Sequence, residues 1–194
     1  MSKPRIAVII GSTRKTRFAD KPANWLMEKI KDNADLDFDL VDLRDFHLPF
    51  FDEVASNAYV PSQDANAVAW QKKIGEYDGY IFVISEYNHS ITGALKNALD
   101  QAYVEWTHKP MGALAYGSMG GARALEHLRA IAVELQMVPV RTAVHIGGGD
   151  FFKVSPLGAD EPISAIEANL DASLKGLLAD MTWWTNATVA ARQK

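Results

Sequence analysis

Apolar residues along the chain fall into two alternating rhythms. Residues 6–10 (IAVII), 80–84 (YIFVI) and 111–116 (MGALAY) are short, nearly continuous apolar runs. A strand buried on both faces requires such runs, so they predict the centre of a parallel sheet. A further strand is predicted over residues 38–43 (FDLVDL). Between these runs the period lengthens to that of a helix. Ala19, Ala23, Leu26, Met27 and Ile30 share one face, as do Ala67, Trp70 and Ile74, then Leu95, Ala98, Leu99 and Ala102, then Leu125, Leu128, Ala132 and Leu135. Pro22 fits the first of these helices only in its opening turn. Ser62 or Asp64 is placed to cap the second, and Gly75 ends it. Residues 138–146 alternate instead, with Val138, Val140, Thr142, Val144 and Ile146 on one side and Pro139, Arg141, Ala143 and His145 on the other. That is the pattern of a half-wetted edge strand. A last helix carries Ile163, Ile166, Leu170, Leu174, Leu177 and Met181 inward and is expected to end at Trp183 and Trp184.

Five strands alternating with five helices predict a three-layer α/β fold: a five-stranded parallel sheet in the order 2-1-3-4-5 with helices on both faces. No repeat or shift in composition divides the chain, so residues 1–194 are expected to form a single domain. One connection is too long for a simple turn. Residues 47–62 (HLPFFDEVASNAYVPS) have no period and are rich in proline and aromatics, which marks a functional or interaction loop. In a sheet of this order ligands bind beyond the carboxyl ends of the strands, where the order reverses between strands 1 and 3. That rule selects three loops as the candidate site.

Composition narrows the chemistry. Hydrophobic residues make up 48% of the 194, enough for a sizeable core. A net charge of −4 and a pI near 5.7 provide no basic field, so neither nucleic acid nor an anionic membrane is an expected partner. Any anion has to be held by local groups. The absence of cysteine excludes disulfides, thiolate metal sites and thiol nucleophiles. Lys3 and Arg5 before IAVII mimic an export signal, but the apolar run stops at Gly11, short of the roughly 7 to 15 residues such a signal needs. No run approaches the roughly 18 apolar residues of a membrane span, and a cytoplasmic location is expected.

The first loop, GSTRKTRF (residues 11–18), combines a tight exit at Gly11 with the hydroxyls of Ser12 and Thr13 and a helix N-terminus. These are the parts of a phosphate cradle, to which Arg14 and Arg17 add charge. Neither GxxxxGK[ST] nor GxGxxG is present, so a mononucleotide phosphate is favoured over ATP or a Rossmann-bound dinucleotide. The second loop, Glu86, Tyr87, Asn88, His89 and Ser90, follows a buried strand with polar groups facing the same crevice. A flat heteroaromatic ring needs directional partners along one edge and an apolar or aromatic face, which Tyr87, Asn88 and Ile91 could supply. Ser90 or Thr92 is equally suited to capping the next helix. Lys96, Asn97 and Asp100 lie on that helix's polar side, with Asp100 able to brace a neighbouring loop. The third loop, YGSMGGAR (residues 116–123), uses Gly117, Gly120 and Gly121 to bring backbone close to a planar ligand, and its helix aims a positive end into the crevice.

Together GSTR, EYNHSITGALKNALD (residues 86–100) and YGSMGGAR resemble the NAD(P)H-dependent FMN reductase family of flavodoxin-like proteins, over about residues 5–146. The resemblance implies a flavodoxin-like fold and FMN, with its phosphate near Ser12, Arg14, Arg17 and Phe18. It also implies a ring edge along Glu86, Tyr87 and Asn88 and a far side near Gly117, Ser118 and Gly121. Ser85 stands where the family usually has proline, and Thr92 with Gly93 replaces a common proline-containing pair, which implies a less rigid loop. The implied reaction passes hydride from NADPH or NADH through FMN to a small-molecule acceptor such as a flavin, quinone or azo compound. It needs no metal and no catalytic acid or base from side chains. A homodimer or homotetramer is implied too, with residues 48–59 and 103–106 near subunit contacts. The alternatives are a flavodoxin-type electron carrier, a non-enzymatic binding protein, and a hydrolase using Ser12, Ser90 or Ser118 with His89.

Overall fold

The computed structural model describes residues 3–193. Strands β1 (Arg5–Ile10), β2 (Asp37–Asp42), β3 (Gly79–Ser85) and β4 (Pro110–Tyr116) pair in parallel in the order β2-β1-β3-β4. Helices α1 (Asp20–Ile30), α2 (Ala65–Gly75), α3 (Gly93–Asp100) and α4 (Ala122–Glu134) connect or follow them. This is the flavodoxin-like arrangement that the alternating rhythms predict.

Successive strand residues point to opposite faces of the sheet, and each face has its own helices. Ala7, Ile9, Tyr80, Phe82, Ile84, Ala113 and Ala115 pack with α2, α3 and α4, where the fully buried Trp70 donates its indole N–H to Ala98 O at 2.8 Å. Ile6, Val8, Ile10, Ile81, Val83, Leu114 and Tyr116 pack with α1 and the C-terminal helices. Asp64 caps α2, its carboxylate accepting from the N–H groups of Asn66 and Ala67 at 2.9 Å, and Thr92 caps α3 through Leu95 N–H. Such caps contribute about 1 kcal/mol each.

The expected fifth strand is broken in two. β5 (Val138–Pro139) and β6 (Val144–Ile146) both pair with β4. Three steps along β4, from Met111 to Leu114, face five steps on the partner, from Pro139 to Val144, so two extra residues bulge out. Pro139 has no N–H to continue the ladder. Beyond it the Thr142 N–H turns away to the Asp180 carboxylate at 3.0 Å. The C-terminal part also departs from expectation. A short helix α5 (Gly148–Val154), not anticipated from the sequence, follows β6. Ile163 and Ile166 precede the last helix instead of lying within it, and that helix, α6 (Glu167–Arg192), runs past Trp183 and Trp184. Arg192 anchors its final turn, donating to His108 O at 2.7 Å and to Asp78 at 2.8 Å.

The long connection after β2 is tied to α3, though not by Asp100, which pairs with Lys96 at 2.7 Å. Asn97 donates to Pro49 O at 2.7 Å and accepts from Phe51 N–H at 3.0 Å, and Gln101 reaches the same Pro49 carbonyl at 2.8 Å.

Candidate functional site

Beyond the carboxyl ends of β1, β3 and β4 lies a crevice of about 500 Å³. Its lining comes from the three loops anticipated above and from a fourth segment. Arg14, Thr16 and Phe18 line one end, Ser85, Glu86 and Tyr87 another, Gly117 and Ser118 a third, and Phe151, Phe152, Ser155, Pro156 and Leu157 the last wall.

The loop after β1 leaves the sheet with Gly11 N–H bonded to Val83 O at 3.0 Å. A Cβ at Gly11 would come within 2.9 Å of Leu95 Cδ2, so a larger residue would push the loop off α3. The Thr92 hydroxyl donates to Gly11 O and clips the same point. Ser12 is buried beside the Tyr116 hydroxyl, and its own hydroxyl has no hydrogen-bond partner among the described residues. Arg14 is exposed, its guanidinium 5.6 Å from the centre of the Tyr87 ring, and no carboxylate among the described residues pairs with it.

Arg17 corrects the sequence expectation. Its side chain is 1% exposed and turned away from the crevice, donating to Ser12 O at 2.6 Å, to both Asp42 oxygens at 2.7 and 2.5 Å, and to Asp20. Burial opposes its charge, but the two carboxylates overcome this and hold the guanidinium firmly protonated. In turn, burial would raise the Asp42 carboxyl, yet bonds from Arg17 and Arg44 hold it down at about 2. Arg17 therefore shapes the loop from beneath and has no free donor to offer an anion. Phe18 is likewise a wall, its ring edge-on to Tyr116 at 5.0 Å and to Phe151 at 5.7 Å.

The second loop is a two-residue hairpin. Tyr87 and Ser90 exchange backbone bonds of 2.9 and 3.0 Å, while Asn88 and His89 at the tip have φ of 48° and 75°. Such a tip suits asparagine and histidine, which enter the left-handed region more readily than most residues. The Glu86 N–H is held by Tyr116 O at 3.2 Å and the Tyr87 N–H by Ser90 O. The unpartnered amides of the turn, among the described residues, are those of Asn88 and His89. The Glu86 carboxylate bonds Arg123, accepting from its Nε at 2.6 Å and its N–H at 3.2 Å. Burial opposes ionisation there, but Arg123 keeps the carboxyl below its usual range. Glu86 thus joins the second loop to the third. Ile91 is 7% exposed and packs into the α2–α4 face of the core, so it does not form the ring face expected of it. Ser90 bonds His127 at 2.9 Å, and His89 approaches the same His127 ring. No serine–histidine pair is formed by Ser12 or Ser118 among the described residues.

In the third loop Gly117 and Ser118 line the crevice, and Gly121 does something else. It has a φ of 67°, and a Cβ there would stand 2.8 Å from Tyr116 N and 2.9 Å from Ala115 Cβ. It lets α4 start hard against β4. The Ser118 carbonyl accepts from Gly148 N–H at 2.9 Å, tying this loop to α5. Trp106, expected near a subunit contact, is fully buried in the core.

The wall formed by α5 and residues 155–157 is not among the sequence expectations. Tyr116 and Phe151 lie nearly parallel there, 6.5 Å apart. The available signal is GGGDFF (residues 147–152), a glycine-rich exit from an edge strand followed by two aromatics, at the end of the sheet where ligands bind.

Comparison with known proteins agrees with this architecture. The family described as NADPH-dependent FMN reductase matches residues 4–150. An NAD(P)H-dependent FMN reductase of Nectria sp is 34% identical over 154 residues, covering 75% of this chain and 77% of its own. A 2-hydroxy-1,4-benzoquinone reductase of Burkholderia sp is 33% identical over 141 residues, covering 69% and 73%. In fold the chain resembles FerB, a flavoenzyme NAD(P)H:(acceptor) oxidoreductase from Paracoccus denitrificans, with a TM-score of 0.70 at 21% identity over 95% of this chain and 98% of that one.

Proposed function

Because the chain belongs to the NADPH-dependent FMN reductase family, we propose that it binds FMN in the crevice and carries electrons from NADPH or NADH to a small-molecule acceptor. Relatives named as quinone reductases and an azoreductase support quinones, azo compounds and flavins as the acceptor class. The observation that carries the reading is a set of polar groups the protein leaves without partners at one end of its sheet. Among the described residues the hydroxyls of Ser12 and Tyr87 are buried and unbonded, the amides of Asn88 and His89 are free, and Arg14 has no ion pair. A buried unbonded hydroxyl costs about 1–3 kcal/mol, so that of Tyr87 in the crevice lining and that of Ser12 behind Tyr116 fit a ligand that completes them.

In this reading Ser12, Arg14 and the amides of the first loop hold the phosphate, while Asn88 and His89 N–H groups meet the polar edge of the ring. Gly117 and Ser118 allow close approach, and the N-terminus of α4 favours negative charge there. Phe18, Tyr116 and Phe151 exclude water. When bound, FMN supplies the hydride and electron-transfer chemistry. No side chain is required as catalytic acid or base, and among the described residues no cluster suited to a metal ion occurs.

The single domain of residues 1–194 would work as a homodimer or homotetramer. Phe50, Val54 and Tyr59 on the long loop are 87%, 94% and 85% exposed, and a second copy of the chain is the natural cover for them. A monomer at micromolar concentration in light scattering would remove that part. Among the described residues no helix is long and apolar enough to cross a membrane, and a cytoplasmic location completes the reading.

Titration of FMN into the apoprotein, followed by stopped-flow mixing with NADPH and NADH, tests the whole. The expected outcome is stoichiometric uptake and bleaching of the yellow flavin far faster than in free solution. Uptake without accelerated bleaching would instead indicate an electron carrier, and a protein that takes up no FMN would end the reading.

A further inference from the structure

Resting on the FMN reading, we infer that Ser155, on a segment outside the three loops, is a further cofactor ligand, its hydroxyl bonding an oxygen of the ribityl phosphate chain. Ser155 is 0% exposed and lines the crevice, yet its Oγ has no hydrogen-bond partner among the described residues. Its backbone is fully engaged. The N–H bonds Phe151 O at 2.9 Å, and the carbonyl accepts from Gly158 N–H at 3.0 Å and Asp160 N–H at 3.1 Å.

The surrounding chain is built to hold this position. Ala159 N–H bonds Phe152 O at 3.0 Å, and a Cβ on Gly158 would fall 1.9 Å from that same oxygen, so only glycine closes the loop there. Lys21, in the first turn of α1, clamps the loop from the other side. Its Nζ donates to Val154 O at 2.8 Å, Glu161 O at 2.9 Å, Asp160 O at 3.0 Å and the Asp160 carboxylate at 2.7 Å. The clamp sets Ser155 beside the start of α1, where the phosphate loop ends and Phe18 packs edge-on to Phe151. A clamped loop with its backbone bonded and one buried hydroxyl left open fits a hydroxyl kept for a ligand oxygen. The site's location at the α1 end of the crevice points to the chain of the cofactor and not to its ring.

The test compares wild type, Ser155→Ala and Lys21→Met apoproteins by quenching of flavin fluorescence, with thermal melts of each apoprotein. Ser155→Ala is expected to raise the FMN Kd about 3- to 10-fold for a bond to a neutral ribityl oxygen, and by more than about 10-fold for one to a charged phosphate oxygen. Its apoprotein melting temperature should hold or rise, because an unbonded hydroxyl has been removed. Those opposite signs separate a ligand role from a structural one. The same loss of affinity for riboflavin would assign the bond to the ribityl chain, and loss confined to FMN would assign it to the phosphate. Lys21→Met, which removes an ammonium that bonds no crevice residue and leaves the backbone bond from Lys21 N–H to Phe18 O in place, is expected to weaken FMN binding in the same direction by loosening the loop. Unchanged FMN affinity in Ser155→Ala would overturn the inference, as would an affinity loss matched by a lower apoprotein melting temperature. Wild-type protein that binds no FMN would defeat the cofactor reading itself.

Discussion

The loop after β1 contains two arginines three residues apart, and its crevice end and its base treat them in opposite ways. At the crevice end Arg14 is exposed, stacked near Tyr87 and free of any carboxylate among the described residues. At the base Arg17 is enclosed between Asp20 and Asp42 and bonded to the loop's own backbone at Ser12. The same guanidinium chemistry is left open in one place and spent on architecture in the other. What separates them is the strand next door: β2 ends at Asp42 directly under the loop, and a carboxylate there captures the nearer arginine. Arg17 fixes the position of the Ser12 carbonyl, which leaves the rest of the loop free to present unbonded groups.

The largest effect should come from breaking the base. Arg17→Ala leaves the half-buried Asp42 with Arg44 alone, at 3.0 Å, and is expected to cost about 3 kcal/mol of folding stability, the lower end for breaking a buried pair, measured by urea unfolding. A loss under about 1 kcal/mol would mean that the base does not organise the loop. Arg14→Ala should do the reverse, weakening FMN binding by about 1.5–3 kcal/mol, the scale of a charged hydrogen bond. Its stability should stay within about 0.5 kcal/mol of wild type. Equal effects of the two substitutions on stability would erase the contrast.

The smallest effect is on the acid limb of stability. The Asp42 carboxyl is held at about 2 in the folded chain against an ordinary 3.8, so on acidification the unfolded chain takes up its proton first. The contribution of this group is therefore complete above pH 3.8 and is lost as pH falls through about 2. Its size is at most about 2–3 kcal/mol, since each tenfold change in proton affinity between the folded and unfolded chain is worth about 1.4 kcal/mol. Asp42→Asn should flatten unfolding free energy against pH in that window, and a limb as steep as in wild type would place the acid sensitivity elsewhere.

Much of the crevice is legible in the sequence because its loops have compositions that strands and helices do not explain. GSTR, EYNHS and YGSMGG each interrupt an apolar rhythm with hydroxyls, amides or glycines at the carboxyl end of a strand, and all three meet at one crevice. What is illegible is how each residue divides between site and scaffold. Arg17, Ile91 and Gly121 carry side chains, or lack them, in ways that suit a ligand, yet their places are set by Asp42, by the α2–α4 core and by Ala115. The fourth wall escapes a sequence reading because Ser155 and Phe152 lie in a segment whose short helix has no apolar period to announce it.

Apolar periodicity and loop composition are local properties, so they announced the strands, the two helical layers and the polar loops at the carboxyl ends of the sheet, while the rule of right-handed crossovers supplied the strand order. Which polar groups are used up inside the protein and which remain open is a matter of the packed fold. That division depends on partners distant in the chain, such as Asp42 for Arg17, Arg123 for Glu86 and Lys21 for the loop at Ser155. A hydrogen bond exists or fails over a few tenths of an ångström, and no pattern along the chain encodes that distance.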